Sequence, residues 1–281
     1  MGANIAGQNH DDVRRRLALG QPLLMALMLG SLLLLVRPGV ARAGPPFFTD
    51  DPEPVEFRHY EIYAAAQYEH DADDVSGSFP LVEVNFGAAR NLQLSASLPL
   101  SYTRASSTPA AYGLTSTELG AKYRFIPEGA GRPQCALYPQ VIFGSEGPGG
   151  AGKPQFLLPL WLQKSYGAWT VFGGGGRWFN PGPGNQDFWF SGLAVERELS
   201  GGATVGVEIY HSGSQTIGEE SRTGVGLGFI APLGAEHALL ASFGRGIHGD
   251  NVFAGYLGYE FKLGPRETAQ PSAQSISPGA R

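Results

Sequence analysis

The sequence predicts an all-β protein: an antiparallel transmembrane β-barrel of about twelve strands behind a cleaved N-terminal signal peptide. Three observations predict it. The only long apolar run lies at the N-terminus, the remainder alternates apolar and polar residues with period two, and long connections alternate with short ones. Without a second apolar run long enough for a helix, the remaining chain can enter a membrane only as a closed barrel, because lipid leaves no other way to satisfy the backbone.

Composition narrows the classes further. The 281 residues are 42% apolar and 16% charged, with 41 Gly and 21 Pro. Soluble domains carry about 25% charge, so charge is scarce here, and the apolar fraction is too high for a disordered chain. The glycines follow no G-X-Y period, which excludes collagen. A net charge of −5 and a pI of about 5.7 argue against nucleic acid as a partner. The lone Cys135 excludes a disulfide framework and a Cys-rich zinc site.

Residues 1–43 read as a secretory signal peptide. Arg14, Arg15 and Arg16 form the positive region and Leu17–Val36 the apolar one. Pro38-Gly39 breaks the helix, and Ala41-Arg42-Ala43 is a cleavage site. An uncleaved anchor is the alternative, since the run approaches the ~20 residues of a span. Removing 1–43 takes five Lys/Arg and two acids from totals of 20 and 25, leaving a net charge of −8.

Strands follow from the alternation. Leu92, Leu94, Ala96, Leu98, Leu100 and Tyr102 oppose Gln93, Ser95, Ser97, Pro99 and Ser101. Leu119, Ala121, Tyr123 and Phe125 oppose Glu118, Gly120, Lys122 and Arg124, and Val205, Val207 and Ile209 oppose Thr204, Gly206, Glu208 and Tyr210. Neighbouring strand residues face opposite ways, so each segment has one greasy wall and one polar wall. The predicted spans are 56–69, 78–88, 91–103, 114–126, 134–143, 155–166, 168–179, 188–199, 203–211, 222–232, 237–247 and 253–263. Within 168–179 the run Gly173–Gly176 names no face.

The connections at 70–77, 104–113, 144–154, 180–187 and 212–221 are long and polar or Gly/Pro-rich. Those at 89–90, 167, 200–202 and 233–236 are short, and 127–133 is intermediate. Short periplasmic turns alternating with longer outer loops are the arrangement of outer-membrane barrels. Trp169 beside a short turn, and Trp178 and Trp189 beside a long loop, fit aromatic girdles at the two interfaces. A soluble sandwich or lipocalin-like barrel would share the alternation but has no reason for this rhythm.

Segments 44–63, 81–100, 117–125, 158–182 and 243–261 carry a resemblance. They resemble a bacterial outer-membrane β-barrel family described as transporter-like, or as the meta-pathway of phenol degradation family. The resemblance spans about 44–263 and implies uptake of small, often aromatic compounds, with no catalytic motif to transfer. Residues 256–263 also resemble a last-strand insertion signal, which implies the barrel-insertion machinery as a partner. Here a tail, 264–281, follows it and reads as disordered. The domain plan is therefore a signal peptide 1–43, a periplasmic lead-in 44–55, a barrel 56–263 and the tail, in the cell outer membrane.

With the greasy faces against outer-membrane lipid, parity directs fourteen residues into the lumen. These are Glu61, Tyr63, Glu83, Asn85, Glu118, Lys122, Arg124, Tyr138, Gln140, Trp161, Glu208, Tyr256, Glu260 and Lys262. They either contact a small-molecule solute in a narrow selective pore or pair as a structural ladder, because buried charges must pair in both cases. A passive channel, not an enzyme, is the first expectation. A lipid acyl hydrolase using His211 with Ser212 or Ser214, and a structural barrel without transport, are the alternatives. No cofactor and no metal are expected. His70, Asp71, Asp73 and Asp74 miss the EF-hand pattern, with Ser76 and Val82 at its sixth and twelfth positions. Gly173–Gly176 lacks the Lys-Ser/Thr of a phosphate loop. Asp50-Asp51, between prolines, is expected to fold toward the barrel mouth as a small plug, and Cys135 reads as packing.

Overall fold

The computed structural model describes residues 46–71, 74–105, 108–114, 116–144, 152–249 and 252–265. The signal peptide, Asp73 and most of the C-terminal tail lie outside the described residues.

Twelve strand positions run in chain order: β1 Tyr60–Asp71, β2 Asp74–Ala89, β3 Leu92–Ala105, β4 Thr108–Leu114 with Ser116–Ile126, and β5 Gln134–Leu137 with Gln140–Gly144. They continue as β6 Gln155–Tyr166, β7 Trp169–Phe179, β8 Phe188–Glu198, β9 Thr204–Ser212, β10 Arg222–Pro232, β11 His237–His248 and β12 Phe253–Leu263. Both pieces of β4 pair with β3, and both pieces of β5 pair with β4 or β6, so each broken strand fills one place in the sheet. Pro139, which cannot donate to a ladder, lies in the β5 break.

Each strand pairs antiparallel with its sequence neighbours, and β1 pairs with β12 from Tyr60↔Leu263 to His70↔Phe253. The sheet therefore closes into a twelve-stranded antiparallel barrel with no free edge. The exterior is apolar. Leu94, Leu98, Leu119, Leu160, Val207, Leu227, Phe243 and Leu257 are all exposed, while the buried polar residues face inward. That inversion excludes the soluble sandwich, whose greasy faces would meet in a core.

Three expectations need correction. The polar stretches 70–77 and 104–113 are largely strand: β1 reaches Asp71 before β2 starts at Asp74, and β3 reaches Ala105 before β4 starts at Thr108. Their composition reads as loop because a strand that projects beyond lipid meets water on both faces and loses its alternation. His70, Asp71 and Asp74 accordingly lie on paired strands. Finally, Trp178 is no girdle residue. It faces inward, with its ring stacked on Phe188 at 5.4 Å.

Trp169 and Trp189 do stand outward at opposite rims, under the guanidinium groups of Arg197 and Arg177. The glycine run in β7 has a steric cause. A Cβ on Gly174 would lie 2.0 Å from the Leu160 carbonyl oxygen, and one on Gly173 2.4 Å from that of Gly192. Neighbouring backbones approach too closely there for any larger residue.

Candidate functional site

Residues 46–56 do not stop at the barrel mouth. They pass inside the wall, and inward side chains hold them at successive points. The Ser242 hydroxyl donates to the Pro46 carbonyl at 2.7 Å. The Phe48 and Thr49 amides donate to the Glu208 carboxylate at 3.1 and 2.9 Å. Lys122 Nζ lies 3.0 Å from Asp50 and 3.8 Å from Asp51, Arg124 bonds Glu53 at 2.6 Å, and Gln93 accepts from the Val55 amide. At the rim, Arg58 and His59 exchange backbone bonds with Gly87 and turn the chain into β1.

Space for this segment comes from glycines on the inner wall. Gly206 and Gly228 are register partners, and a Cβ on either would lie within 2.7 Å of the Phe47 ring. A Cβ on Gly192 would lie 2.2 Å from the Thr49 hydroxyl. Thr49 and Asp51 are buried as a result. Burial pushes the Asp51 carboxyl up to about 8, with Lys122 pulling it down and Asp50 adding to the rise. In the turn between β4 and β5, burial raises the Glu128 carboxyl. The hydrogen bonds from Lys164 and Ser165 outweigh that and hold it below its ordinary value.

The segment does not fill the lumen. A cavity of about 470 Å³ remains beside it, bounded by Phe47, Phe48, Asp50 and Asp51 on one side and by the wall on the other. A second cavity, of about 230 Å³, lies toward the far rim and shares Phe48, Trp178 and Phe190 with the first. A third, also about 230 Å³, runs along Glu208 and Tyr256.

All fourteen lumen candidates face inward. Glu61, Tyr63, Glu83, Asn85, Glu118, Lys122, Tyr138, Gln140 and Trp161 line the large cavity, and Glu208 and Tyr256 the third. Arg124 holds the lead-in. Glu260 accepts from Tyr63 and lies 3.1 Å from Lys262. Several also bond one another, Asn85 donating to Glu83 at 2.7 Å and Gln140 to Glu118, and Gln93 beside them donates to Asn85 at 2.9 Å. Lining and pairing thus coexist.

Sequence reasoning missed Phe48, Gln93 and Trp178. Parity from the neighbouring strand residues would have found Gln93. The parity of Trp178 was hidden by the glycines before it, and Phe48 stands on no strand.

The hydrolase arrangement is not assembled. His211 faces outward and bonds the Thr223 hydroxyl at 2.9 Å, whereas Ser212 is buried on the inner face and donates to the Gly213 carbonyl. Adjacent strand residues must diverge in this way. The Ser214 hydroxyl is committed to the Thr216 carbonyl at 2.6 Å. Cys135 is buried, and no group of three metal-ligating side chains occurs among the described residues.

No family model and no curated protein matches the chain. Solved structures do. An outer-membrane channel from Pseudomonas putida F1 superposes with a TM-score of 0.61 at 15% identity, covering 81% of this chain and 100% of that one. The fold is that of an outer-membrane β-barrel. The KdgM porin, solved in complex with disordered oligogalacturonate, gives 0.50 at 10% identity over 71% of this chain and 98% of its own. The translocator domain of the autotransporter NalP from Neisseria meningitidis gives 0.50 at 14%, over 92% and 99%. Outer-membrane barrels thus serve both channels and a translocator, so function must be argued from the lumen.

Proposed function

We propose that this chain is an outer-membrane channel for passive entry of small solutes, aromatic compounds among them. One observation carries the reading. The lumen is narrowed by residues 46–56 but not filled, and two of its cavities, of about 470 and 230 Å³, share Phe48, Trp178 and Phe190. Twelve strands lie between the eight that side chains fill and the sixteen of open porins, which suits a restricted path. The resemblance to the transporter-like family supports the aromatic preference. The same reading takes residues 1–43 as the export signal, places the rim where β1 begins and β12 ends in the periplasm, and takes outer-membrane lipid and the barrel-insertion machinery as partners.

The test is entry into liposomes of the refolded chain, with sugars, organic acids and phenolic compounds compared against protein-free liposomes. Heat-dependent gel mobility establishes beforehand that the barrel has closed. Entry of at least one class above background is expected. No entry of any class from a closed barrel overturns the channel and favours a structural barrel.

A further inference from the structure

We infer that the lumen selects aromatic cations, with single-ring ammonium compounds as its solute class. The inference rests on the channel reading and names the chemistry of that path.

The two cavities that share Phe48, Trp178 and Phe190 differ in character. The one toward the far rim is walled by Phe48, Trp178, Phe188, Phe190 and Tyr210. Trp178 stacks on Phe188, and Phe48 lies 4.6 Å from the Tyr210 ring. Glu69 and Arg222 add one charge of each sign there. Aromatic faces carry negative quadrupole density and attract a cation that sheds water against them. At about 230 Å³ this cavity is smaller than the ~300–1,000 Å³ of drug-sized pockets, which fits a single ring.

The larger cavity is acidic. Asp50, Asp51, Glu53, Glu61, Glu83 and Glu118 line it against Lys122. Lys122 is engaged by Asp50 and Asp51, and Glu53 by Arg124. Glu83 and Glu118 accept instead from the neutral amides of Asn85 and Gln140, and among the described residues neither forms an ion pair.

Their placement concentrates that charge. Glu83 pairs in register with Ser97, and Ser97 with Glu118. On the other side Glu83 pairs with Tyr63, and Tyr63 with Glu260. One transverse row therefore reads Glu260–Tyr63–Glu83–Ser97–Glu118, with Glu83 and Glu118 two strand spacings, about 10 Å, apart. A row of carboxylates across a low-dielectric passage favours cations and repels anions, as acidic rings do in cation channels. A solute that satisfies both cavities needs an aromatic face and a positive charge.

The experiment compares liposome entry of two permanently charged single-ring ions, phenyltrimethylammonium and benzenesulfonate. Tetramethylammonium and methanesulfonate serve as ring-free controls, and arabinose reports the channel itself. Field focusing of this kind raises entry by about 10- to 1,000-fold, so a preference of at least about tenfold for phenyltrimethylammonium over benzenesulfonate is expected. The preference should shrink in Glu83→Gln/Glu118→Gln. It should also shrink in the wild-type chain as salt is raised, a test that needs no variant to fold. Trp178→Ala should remove the advantage of phenyltrimethylammonium over tetramethylammonium. Equal or faster entry of benzenesulfonate, with arabinose entering, overturns cation selection and leaves the channel standing. If no solute enters a closed barrel, both readings fall.

Discussion

Lys122 Nζ lies 3.0 Å from Asp50 Oδ1 and 3.8 Å from Asp51 Oδ1, so one wall side chain in β4 grips two consecutive carboxylates of the lead-in. The Lys122 side chain and Asp51 are both buried. Losing the Lys122 ammonium strips Asp50 of a charge-assisted hydrogen bond worth about 1.5–3 kcal/mol, while Asp51, which holds its proton below about pH 8, is left with no bare charge. Lys122→Met should therefore favour withdrawal of residues 46–56 and widen the path. Arabinose entry into liposomes should rise several-fold, and unchanged entry would show that the other anchors suffice.

A steric route should give the same release without touching charge. Gly228 and Gly206 leave room for Phe47 where a Cβ on Gly228 would lie 2.3 Å from its ring. Gly228→Val should displace Phe47 and accelerate entry, and Gly228→Val with Phe47→Ala should close normally and conduct like Phe47→Ala alone. Non-additivity of this kind is expected only for groups in contact.

Asp51 makes docking of the lead-in pH-dependent. Its carboxyl titrates at about 8 in place and ordinarily near 3.8. Between these values the docked segment keeps a proton that a released segment gives up. Docking is thus strongest below about 4, weakens as pH rises through this window, and is flat above 8. Thr49→Cys in a Cys135→Ser background should react with a soluble maleimide more at pH 8.5 than at pH 6, after correction for thiolate fraction. Asp51→Asn should flatten that dependence. A flat profile with Asp51 present would contradict the assignment.

Much of the wall was legible in the sequence, for a physical reason. β6, β10 and β12 begin and end at the residues the alternation indicates, because lipid on one face and a polar lumen on the other enforce period two. Legibility ended where that contrast ended. The far ends of β1 to β4 stand in water on both faces, Gly173–Gly176 has no side chains to report a face, and Trp178 was misplaced in consequence. The lumen-facing carboxylates could be found by parity. What holds the lead-in could not, since Ser242, Glu208, Lys122 and Gln93 come from four strands, β11, β9, β4 and β3, and meet Pro46–Val55 only once the barrel closes.

The turn that joins β4 to β5 offers an independent test at the rim. Glu128 accepts from Lys164 at 2.7 Å and from the Ser165 amide at 3.0 Å, and these bonds hold its carboxyl below the ordinary 4.5. A depressed carboxyl contributes stability that is complete above its unfolded value and is lost as pH falls through the folded one. Both partners are partly exposed and screened by solvent, so the contribution is about 1 kcal/mol. The difference in urea midpoint between the wild-type chain and Glu128→Gln should shrink below pH 4 and be constant from 6 to 8.

The outward face of β10 tests the membrane itself. Leu227 is about half exposed in the middle of that strand, between Val225 and Phe229 on the same face, and its register partners are Val207 and Phe243, also outward. If lipid covers this band, an arginine at Leu227 must carry its charge into hydrocarbon, at about 2–4 kcal/mol near the midplane. If water covers it, the same substitution is close to neutral, since exposed surface changes seldom exceed about 0.5 kcal/mol. Leu227→Arg in lipid vesicles should therefore lower the reversible unfolding free energy by the larger amount. Arginine in place of Leu233, in the short turn after β10 and outside the strand, should cost far less. Equal small costs at both positions would remove the hydrocarbon band from β10, and with it the case for a spanning barrel. A large cost at Leu227 alone fixes the depth of this strand in the bilayer.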